Sequence, residues 1–355
     1  MSVTIIDIDE WIKRCNTLPV LDVRSPSEYT HAHIPNAFSL PLFSDEQRSI
    51  VGTLYKQRSR EQAIKAGLDF FNMRKMVEDA EDLISDYYGG KKEKHNTVLV
   101  HCWRGGMRSS AVAWLLSLYG FEVFCLKGGY KSFRNWVLKV FEQKHNINIL
   151  GGYTGSAKTY LLKALEQKGA QVVDLEELAH HKGSAFGGIG QPPQPSQEMF
   201  ENKLAMVLNM ISKNASCWIE DESQRIGSLH IPHVLWNQLR QKDVYFLDIP
   251  FNERLNHICK EYGMLDKSQL MEAVSRIKKR LGPNETKMVL EHLENGNIHD
   301  AFEILLRYYD KLYGKALNNR ENYVGIINKI TCTSVYIPEN LQNLEKCLNA
   351  LPSSF

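Results

Sequence analysis

The sequence lacks several features that would assign it to a special class. None of its 355 residues falls in an apolar run of the roughly 18 to 20 residues that a membrane span needs. The first residues, MSVTIIDIDEWIKRC, carry acidic side chains early and lack the basic-then-apolar pattern of a secretory signal. The seven cysteines are odd in number, scattered and without a CxxC pair, which favours free thiols over disulfides or a zinc site. We therefore expect a cytoplasmic protein with no membrane partner.

The sequence also lacks a large excess of charge of one sign, because its formal net charge is only +2. A balance so close to neutral does not by itself predict a nucleic-acid partner. Three local basic clusters are more typical of solvated helix faces, although they permit RNA binding. They comprise Lys56, Arg58, Arg60 and Lys65, then Lys127, Lys131 and Arg134, then Lys278, Lys279 and Arg280.

The order of apolar segments predicts two α/β domains, which the chain is long enough to form. Strands are predicted at 17–25, 97–102 and 121–129, with helices at 111–120 and 132–143. The pattern then restarts, with strands predicted at 146–150, 170–175, 216–221 and 243–250, and a helix at 159–169. We place the first domain at residues 1–140 and the second at 145–355. From about residue 265 the pattern is mainly helical, with SVYIP (334–338) as a late strand.

The stretch HCWRGGMRSS, residues 101–110, joins a predicted strand to a predicted helix. A reactive cysteine needs surroundings that stabilise its thiolate, and backbone N–H groups at a helix N-terminus do so. Gly105 and Gly106 would allow a tight curl around the sulfur of Cys102. Arg108 can bind a tetrahedral oxyanion through two donors, and Arg104 adds positive charge. The segment therefore predicts an anion-binding loop with a nucleophile at its floor.

A second loop, GYTGSAKT at residues 152–159, has the phosphate-loop spacing GxxxxGK[ST] with Ala157 in place of the last glycine. Gly152, Gly155 and Ser156 would help its backbone N–H groups to bind a diphosphate, and Lys158 would neutralise that charge. Thr159 could hold Mg²⁺. An alanine at position 157 is compatible with the motif if its φ is negative.

Acidic residues follow a predicted strand in SCWIEDES, residues 216–223. Asp221 or Glu222 could reach a metal there, and we take Asp221 as the candidate ligand. An ordinary acidic surface cluster explains the pattern equally well. Adjacent histidines cannot easily face one metal, so we expect His180 and His181 to serve a loop.

Two enzyme families share the cysteine loop. The pattern HCxxxxxR followed by serine resembles cysteine phosphatases, whereas rhodanese sulfurtransferases use a similar loop to carry a persulfide. Residues 20–42, VLDVRSPSEYTHAHIPNAFSLPL, resemble the opening of a rhodanese domain, in which Asp22 and Arg24 would be structural. LKGGYKSF (126–133) resembles its closing segment. The loop is one residue longer than in most rhodaneses, which leaves room for a phosphate-sized group.

The whole chain resembles the tRNA 2-selenouridine synthases, in which a rhodanese domain precedes a P-loop domain. Segments outside both loops carry the likeness: GTLYKQRSREQAIKAG (52–67), DLEELAHHKGSAFGG (174–188), QPSQEMFE (194–201) and IEDESQRIG (219–227). The resemblance implies an N-terminal rhodanese-like parallel-sheet domain. A P-loop NTPase-like α/β domain with a helical C-terminal region would follow it.

The same resemblance implies a transferase acting on tRNA that carries 2-thiouridine at the wobble position. The sulfur would be geranylated from geranyl diphosphate and then replaced by selenium from selenophosphate, with a selenophosphate synthetase as donor source. Cys102 would act in the selenium step, and Arg104, Gly105, Gly106 and Arg108 would bind selenophosphate. We allot the prenyl diphosphate to the P-loop. No tightly bound cofactor is implied, with Mg²⁺ as a candidate ion.

Three alternatives stay open on the sequence. The first is a cysteine-dependent phosphatase, for which no general acid is evident. The second is an RNA-binding module that retains only the rhodanese fold. The third is a rhodanese-type sulfurtransferase with a nucleotide-binding domain, against which the longer loop counts.

Overall fold

The computed structural model of the protein describes residues 3–90, 96–212, 215–318 and 327–350. The chain divides into two compact units, Met1–Val140 and Phe141–Phe355. The division lies beside the predicted boundary between residues 140 and 145. Among the described residues, no helix is both long enough and apolar enough to cross a lipid bilayer.

A parallel five-stranded sheet forms the centre of the first unit, in the order β1-β5-β4-β2-β3 over the described residues. Its strands are β1 (Val3–Ile6), β2 (Val20–Asp22), β3 (Ala37–Ser39), β4 (Thr97–His101) and β5 (Glu122–Leu126). The central strand β4 reads TVLVH and is buried along most of its length, as expected when helices cover both faces of a sheet. Cys102 therefore follows the middle strand.

The first unit has seven helices over its described residues. They are α1 (Ile8–Arg14), α2 (Pro26–His31), α3 (Asp45–Gln57), α4 (Arg60–Phe70), α5 (Met73–Tyr87), α6 (Met107–Tyr119) and α7 (Gly129–Glu142). Helix α5 turns Met76, Val77, Ala80 and Ile84 into the core, which is the spacing of one helical face. Helix α6 buries Val112, Ala113 and Leu116 against the same core.

The second unit also has a parallel five-stranded sheet over the described residues, in the order β12-β11-β6-β8-β7. Its strands are β6 (Ile147–Gly152), β7 (Gln171–Val173), β8 (Cys217–Glu220), β11 (Val244–Asp248) and β12 (Ile327–Thr331). A short antiparallel pair, β9 (Arg225–Ile226) and β10 (Leu229–His230), lies outside it. The prediction of two parallel α/β sheets is confirmed.

The helices of the second unit fall into two groups. Those after the sheet strands are α8 (Lys158–Gln167), α9 (Leu175–Ala179), α10 (Gln197–Met210), α11 (His233–Arg240), α12 (Phe251–Tyr262) and α16 (Ile337–Ala350). The others, α13 (Lys267–Leu281), α14 (Pro283–Glu294) and α15 (Ile298–Asn318), form the predicted helical region and pack with α12 around Leu270, Val289 and Leu305.

The late strand predicted at residues 334–338 is wrong. The chain returns to the sheet earlier, through β12, which pairs with β11. Residues 333–335 form a bend, and α16 begins at Ile337. The apolar side chains of SVYIP misled the prediction: Val335 and Ile337 pack against the sheet's core from this bend and helix start. Tertiary packing thus overrides local strand propensity.

Candidate functional site

Cys102 lies where β4 ends, just before the loop that enters α6. Its side chain is buried, and its Sγ lies 3.2 Å from the Oγ of Ser109 in the first turn of that helix. Burial alone would raise the pKa of the thiol. The Ser109 hydroxyl and the backbone N–H groups of Ser109, Gly106 and Arg104 outweigh burial and lower the pKa below its ordinary value. The environment therefore favours the nucleophilic thiolate.

The segment that follows β5 holds the cysteine loop through backbone hydrogen bonds. Tyr130 N–H donates to the Cys102 carbonyl over 2.8 Å, and Lys131 N–H donates to the Trp103 carbonyl over 3.0 Å. Gly129 has a φ of +60°, and a Cβ there would lie only 2.3 Å from the Cys102 carbonyl oxygen. Only glycine fits this close approach of two backbones. The segment with the rhodanese-like closing sequence thus shapes the cysteine loop.

Arg108, predicted to bind the oxyanion, forms an ion pair with Glu28 of α2. Its Nη1 donates to Oε2 over 2.6 Å and its Nη2 to Oε1 over 3.3 Å. The same carboxylate accepts from the Ser25 N–H, and Arg48 lies 3.8 Å away. Burial would raise the pKa of Glu28, but the Arg108 guanidinium lowers it below its ordinary value. Glu28 therefore stays ionised and holds Arg108 beside the loop.

The remaining predicted residues of this loop are open to solvent. Arg104, Gly105 and Gly106 are exposed, and a Cβ on Gly106 would meet nothing within 4 Å among the described residues. Beneath the loop, Arg24 donates to Asp22 over 2.6 Å and lies 3.8 Å above the ring of Tyr130. The cysteine loop is thus exposed to solvent, and the Arg24–Asp22 pair is buried.

The second predicted loop runs from the end of β6 into α8. Gly152 and Gly155 lie within it, and both have positive φ. The condition set for Ala157, a negative φ, is not met, because Ala157 has a φ of +55° and is the N-cap of α8. An alanine in this left-handed conformation costs about 1–2 kcal/mol. The loop nevertheless has the strand–loop–helix form that diphosphate binding requires.

The polar side chains of this loop form hydrogen bonds with loop carbonyls and with a nearby carboxylate. Lys158 donates from Nζ to the Gly152 carbonyl over 3.1 Å, which places the ammonium over the loop. Thr159 donates to the carboxylate of Glu176 over 3.1 Å. Ser156 is buried, and its hydroxyl donates to the Tyr153 carbonyl over 2.6 Å. Its backbone N–H donates to the same carbonyl over 3.1 Å, so Ser156 contributes loop structure through both donors.

Two residues of α15 support the loop from below. Asp310 accepts two hydrogen bonds from the buried Arg254, over 2.9 and 2.7 Å, and Arg254 also donates to the Thr154 carbonyl. Tyr313 donates to Asp221 over 2.6 Å, and its hydroxyl oxygen lies 3.4 Å from the donating Gly152 N–H. Asp221, the predicted metal ligand, is thus engaged by a tyrosine.

Three other carboxylates meet beside Thr159. Ligand oxygens of Glu176, Glu220 and Glu222 all lie within 4.8 Å of one another, and Asp221 does not belong to this group. Burial and the neighbouring Glu176 raise the pKa of Glu222 to about 8. Burial and the same neighbour raise the pKa of Glu220 well above its ordinary value. Carboxylates so placed bind either protons or a cation.

The adjacent histidines have separate positions. His180 ends α9 in a left-handed conformation, and its Nδ1 lies 2.9 Å from the Pro193 carbonyl. Gly187 approaches the ring of His181 so closely that a Cβ would lie 2.9 Å from Nδ1. Both therefore help to shape the loop that follows α9.

Comparison with known proteins agrees with this geometry. The family model described as a rhodanese-like domain matches residues 5–135, and the one described as the tRNA 2-selenouridine synthase AAA domain matches residues 145–341. A tRNA 2-selenouridine synthase from Hydrogenovibrio crunogenus is 33% identical over 338 residues, covering 86% of this chain and 90% of the relative. The chain belongs to the tRNA 2-selenouridine synthase family.

Other members of the tRNA 2-selenouridine synthase family match to a similar extent. The relative from Sulfurovum sp. is 32% identical, covering 84% of this chain and 88% of its own. The relative from Shewanella sediminis is 32% identical, covering 86% and 89%. The predicted fold, with a rhodanese-like domain before a P-loop-type domain, is confirmed. The roles of individual site residues stay predictions.

Several residues of the two sites escaped the sequence reasoning. Glu28 lies in a stretch assigned only to the rhodanese-like opening, and its pairing with Arg108 spans 80 positions. Glu176 and Glu220 lie inside two of the segments typical of tRNA 2-selenouridine synthases. Those two segments lie outside both loop motifs, so their resemblance to the family could have pointed to these glutamates as site residues. Asp310 lies in a helix whose sequence carries no motif.

Proposed function

We propose that this protein replaces the sulfur of wobble 2-thiouridine in tRNA by selenium, by way of a geranylated intermediate. One observation carries the proposal. The buried Cys102 thiol follows the middle strand β4, with its Sγ 3.2 Å from the Oγ of Ser109 in the first turn of α6, in a chain whose relatives over most of their length are named tRNA 2-selenouridine synthases. The P-loop of the second unit supports a separate diphosphate-binding step.

In the first step, the thiouridine sulfur attacks C1 of geranyl diphosphate, the C–O bond breaks, and diphosphate leaves. The base loses one proton. Gly152, Gly155 and Lys158 are suited to bind the diphosphate, because the loop presents backbone N–H groups and an ammonium at a helix N-terminus. The step is useful because an alkylated sulfur leaves carbon far more easily than a thiocarbonyl sulfur does. It requires no nucleotide hydrolysis.

In the second step, the exposed mouth formed by Arg104, Gly105 and Gly106 binds selenophosphate above Cys102. The thiolate attacks phosphorus, so that an S–P bond forms, the P–Se bond breaks, and selenium leaves as hydroselenide. Transfer of neutral selenium instead would require reduction of phosphorus. Hydroselenide attacks C2 of the modified base and expels the geranylthiolate. Water then releases phosphate from the cysteine.

The test uses the purified protein and tRNA that carries 2-thiouridine. Geranyl diphosphate is added alone, then with selenophosphate, and the digested nucleosides are identified by mass spectrometry. We expect geranyl-thiouridine in the first reaction and selenouridine in the second. Cys102→Ala should stop at geranyl-thiouridine, whereas Lys158→Ala should slow its formation. Cys125→Ala is the matched control, since burial raises the pKa of that thiol to about 11.

Unchanged thiouridine in every reaction would reject the proposal. Two assays of the same samples would then separate the alternatives. Release of phosphate from an aryl phosphate by the wild type, and not by Cys102→Ala, would indicate a cysteine phosphatase. Cys102-dependent sulfur transfer from thiosulfate would indicate a rhodanese-type sulfurtransferase.

A further inference from the structure

The group formed by Glu176, Glu220 and Glu222 has an arrangement that ordinary surface acids lack. Its members come from three places in the chain: Glu176 from α9, Glu220 from the end of β8, and Glu222 from the residues that follow. Their oxygens converge to within 4.8 Å of one another. Three carboxylates at this spacing repel each other strongly in a partly buried site.

Glu220 supplies a second observation, independent of the clustering. Its side chain is 1% exposed, and Oε1 accepts the N–H of Glu176 over 3.0 Å. Its Oε2 is buried and has no hydrogen-bond partner among the described residues. Buried polar atoms are normally satisfied, so an orphan in a native structure calls for a ligand. The Glu220 carboxylate offers one of the ligand oxygens of the group of three.

We propose that Glu176, Glu220 and Glu222 form a binding site for a hard divalent cation of the Mg²⁺ class. Such cations prefer carboxylate oxygens at about 2.0–2.1 Å in an octahedron, so that two ligand oxygens lie about 2.9 Å apart when adjacent and about 4.2 Å apart when opposite. The three oxygens, within 4.8 Å of one another without an ion, would draw together on binding. The cation satisfies Glu220 Oε2 and removes the repulsion among the carboxylates.

The site excludes Asp221 for a physical reason. That carboxylate accepts the hydroxyl of Tyr313 over 2.6 Å and lies outside the group. Strand alternation points Glu220 and Asp221 to opposite sides of the chain, so two adjacent acids perform different tasks. One meets the carboxylates, and the other anchors α15.

The position of the site suggests its use, and this step rests on the proposed function. Glu176 accepts the hydroxyl of Thr159, the last residue of the P-loop motif. A cation held by the three carboxylates therefore lies next to the loop proposed to bind geranyl diphosphate. It would add positive charge where the diphosphate leaving group develops negative charge.

Binding of Mn²⁺ to the full-length, metal-free protein tests the site directly. Electron paramagnetic resonance reports free Mn²⁺, and titration calorimetry reports the affinity. We expect one Mn²⁺ at this site, competed by Mg²⁺. Glu220→Gln and Glu222→Gln should each weaken it at least about tenfold, since loss of even an outer-sphere partner costs about 10- to 100-fold. Both substitutions keep the side-chain shape and remove a repelling charge, so the fold should persist.

Two controls locate the ion. Asp221→Asn should bind Mn²⁺ as the wild type does. Asp300→Asn disrupts the exposed group of His299, Asp300 and Glu303, another described set of potential ligands, and should also leave the binding intact. No Mn²⁺ binding to the wild type, or a loss confined to Asp221→Asn or Asp300→Asn, would overturn the site.

The cation site and the proposed function can fail separately. A protein that binds Mn²⁺ through Glu220 but leaves thiouridine unchanged keeps the site and rejects the reaction. A protein that makes geranyl-thiouridine without binding Mn²⁺ keeps the reaction and rejects the site. Thermal denaturation gives a further readout, because a ligand bound only to the folded state raises its melting temperature. That rise should disappear in Glu220→Gln.

Discussion

The guanidinium of Arg108 and the carboxylate of Glu28 form a two-point ion pair, with donor–acceptor distances of 2.6 and 3.3 Å. The pair joins the first turn of α6 to α2. Arg108, which was predicted to bind an anionic ligand, is thus already bound to the Glu28 carboxylate. Arg108 thereby has a fixed position before any ligand arrives. The position of Arg108 thus depends on a residue 80 positions away in the sequence.

Glu28→Gln should lower the free energy of unfolding at neutral pH by about 1–3 kcal/mol, because it weakens charged hydrogen bonds in a partly buried pair. The pKa of Glu28 is lower in the folded state than in the unfolded state. Its contribution is therefore complete above the ordinary glutamate pKa and is lost as the pH falls through the folded value. Thermal melts of both proteins between neutral and acidic pH measure this.

Glu78→Gln is the matched control for that prediction. Glu78 accepts from Arg74 over 2.7 Å, but both side chains are exposed, so the substitution should have little effect. Equal losses from the two substitutions, or a gap between wild type and Glu28→Gln that widens in acid, would contradict the assignment.

Ser109→Ala should raise the pKa of the Cys102 thiol by about one pH unit, because it removes the side-chain hydrogen bond to the sulfur. The rate of iodoacetamide labelling at Cys102, followed by peptide mass spectrometry across pH, reports the thiolate. The midpoint in the wild type should lie below that of an ordinary cysteine. Ser110→Ala alters an exposed neighbour and should leave the midpoint unchanged. If the labelling midpoint does not change in Ser109→Ala, the lowered pKa of Cys102 comes from the backbone N–H groups alone.

Gly129→Ala should destabilise the protein by more than about 3 kcal/mol and suppress labelling of Cys102, because the added Cβ would meet the Cys102 carbonyl at 2.3 Å. Gly90→Ala separates the steric clash from the backbone cost. Gly90 has a φ of +70°, with nothing among the described residues within 4 Å of an added Cβ, so it should lose only about 1 kcal/mol. Chemical denaturation of the two variants gives the comparison, and similar losses would show that the contact is not tight.

Asp310→Asn should cost about 2–4 kcal/mol, because it leaves the buried Arg254 guanidinium without its charged partner. The P-loop should also bind inorganic diphosphate more weakly, since Arg254 holds the Thr154 carbonyl. Calorimetric titration with diphosphate and a thermal melt measure the two effects. Asp300→Asn, in an exposed position of the same helix, should alter neither. Unchanged diphosphate affinity in a destabilised Asp310→Asn protein would limit the pair to stability.

The sequence was sufficient for the central strands of both sheets and for both loops, because each depends on local order. An apolar strand, a glycine-containing loop and a helix are consecutive in the chain, so Cys102 could be placed at a strand end and Lys158 at a helix start. The outer strands β1, β3 and β12 were not predicted. The sequence was insufficient for Ala157, whose left-handed φ is imposed by the closed loop against the residue's own preference. It was also insufficient at SVYIP, where packing against the core decided between strand and helix.

Contacts between residues that are distant in the sequence also could not be predicted. Nothing in the spacing of Glu28 and Arg108, or of Asp221 and Tyr313, predicts their contact, because each pair is created by the packing of whole elements. The contact between Asp221 and Tyr313 shows the difficulty. Adjacent acidic residues at a strand end are equivalent in composition, and only the direction of each side chain separates their tasks.

Helix α15 presents three residues in little more than one turn to three different loops. Tyr309 accepts the Ala185 N–H, Asp310 holds the arginine beneath Thr154, and Tyr313 meets Asp221. The helical region therefore supports three loops of this unit at once. Recombination that exchanged it between distant relatives would disturb the loop at residues 152–159 and the acidic strand end together. The two halves of this unit must be inherited as one piece.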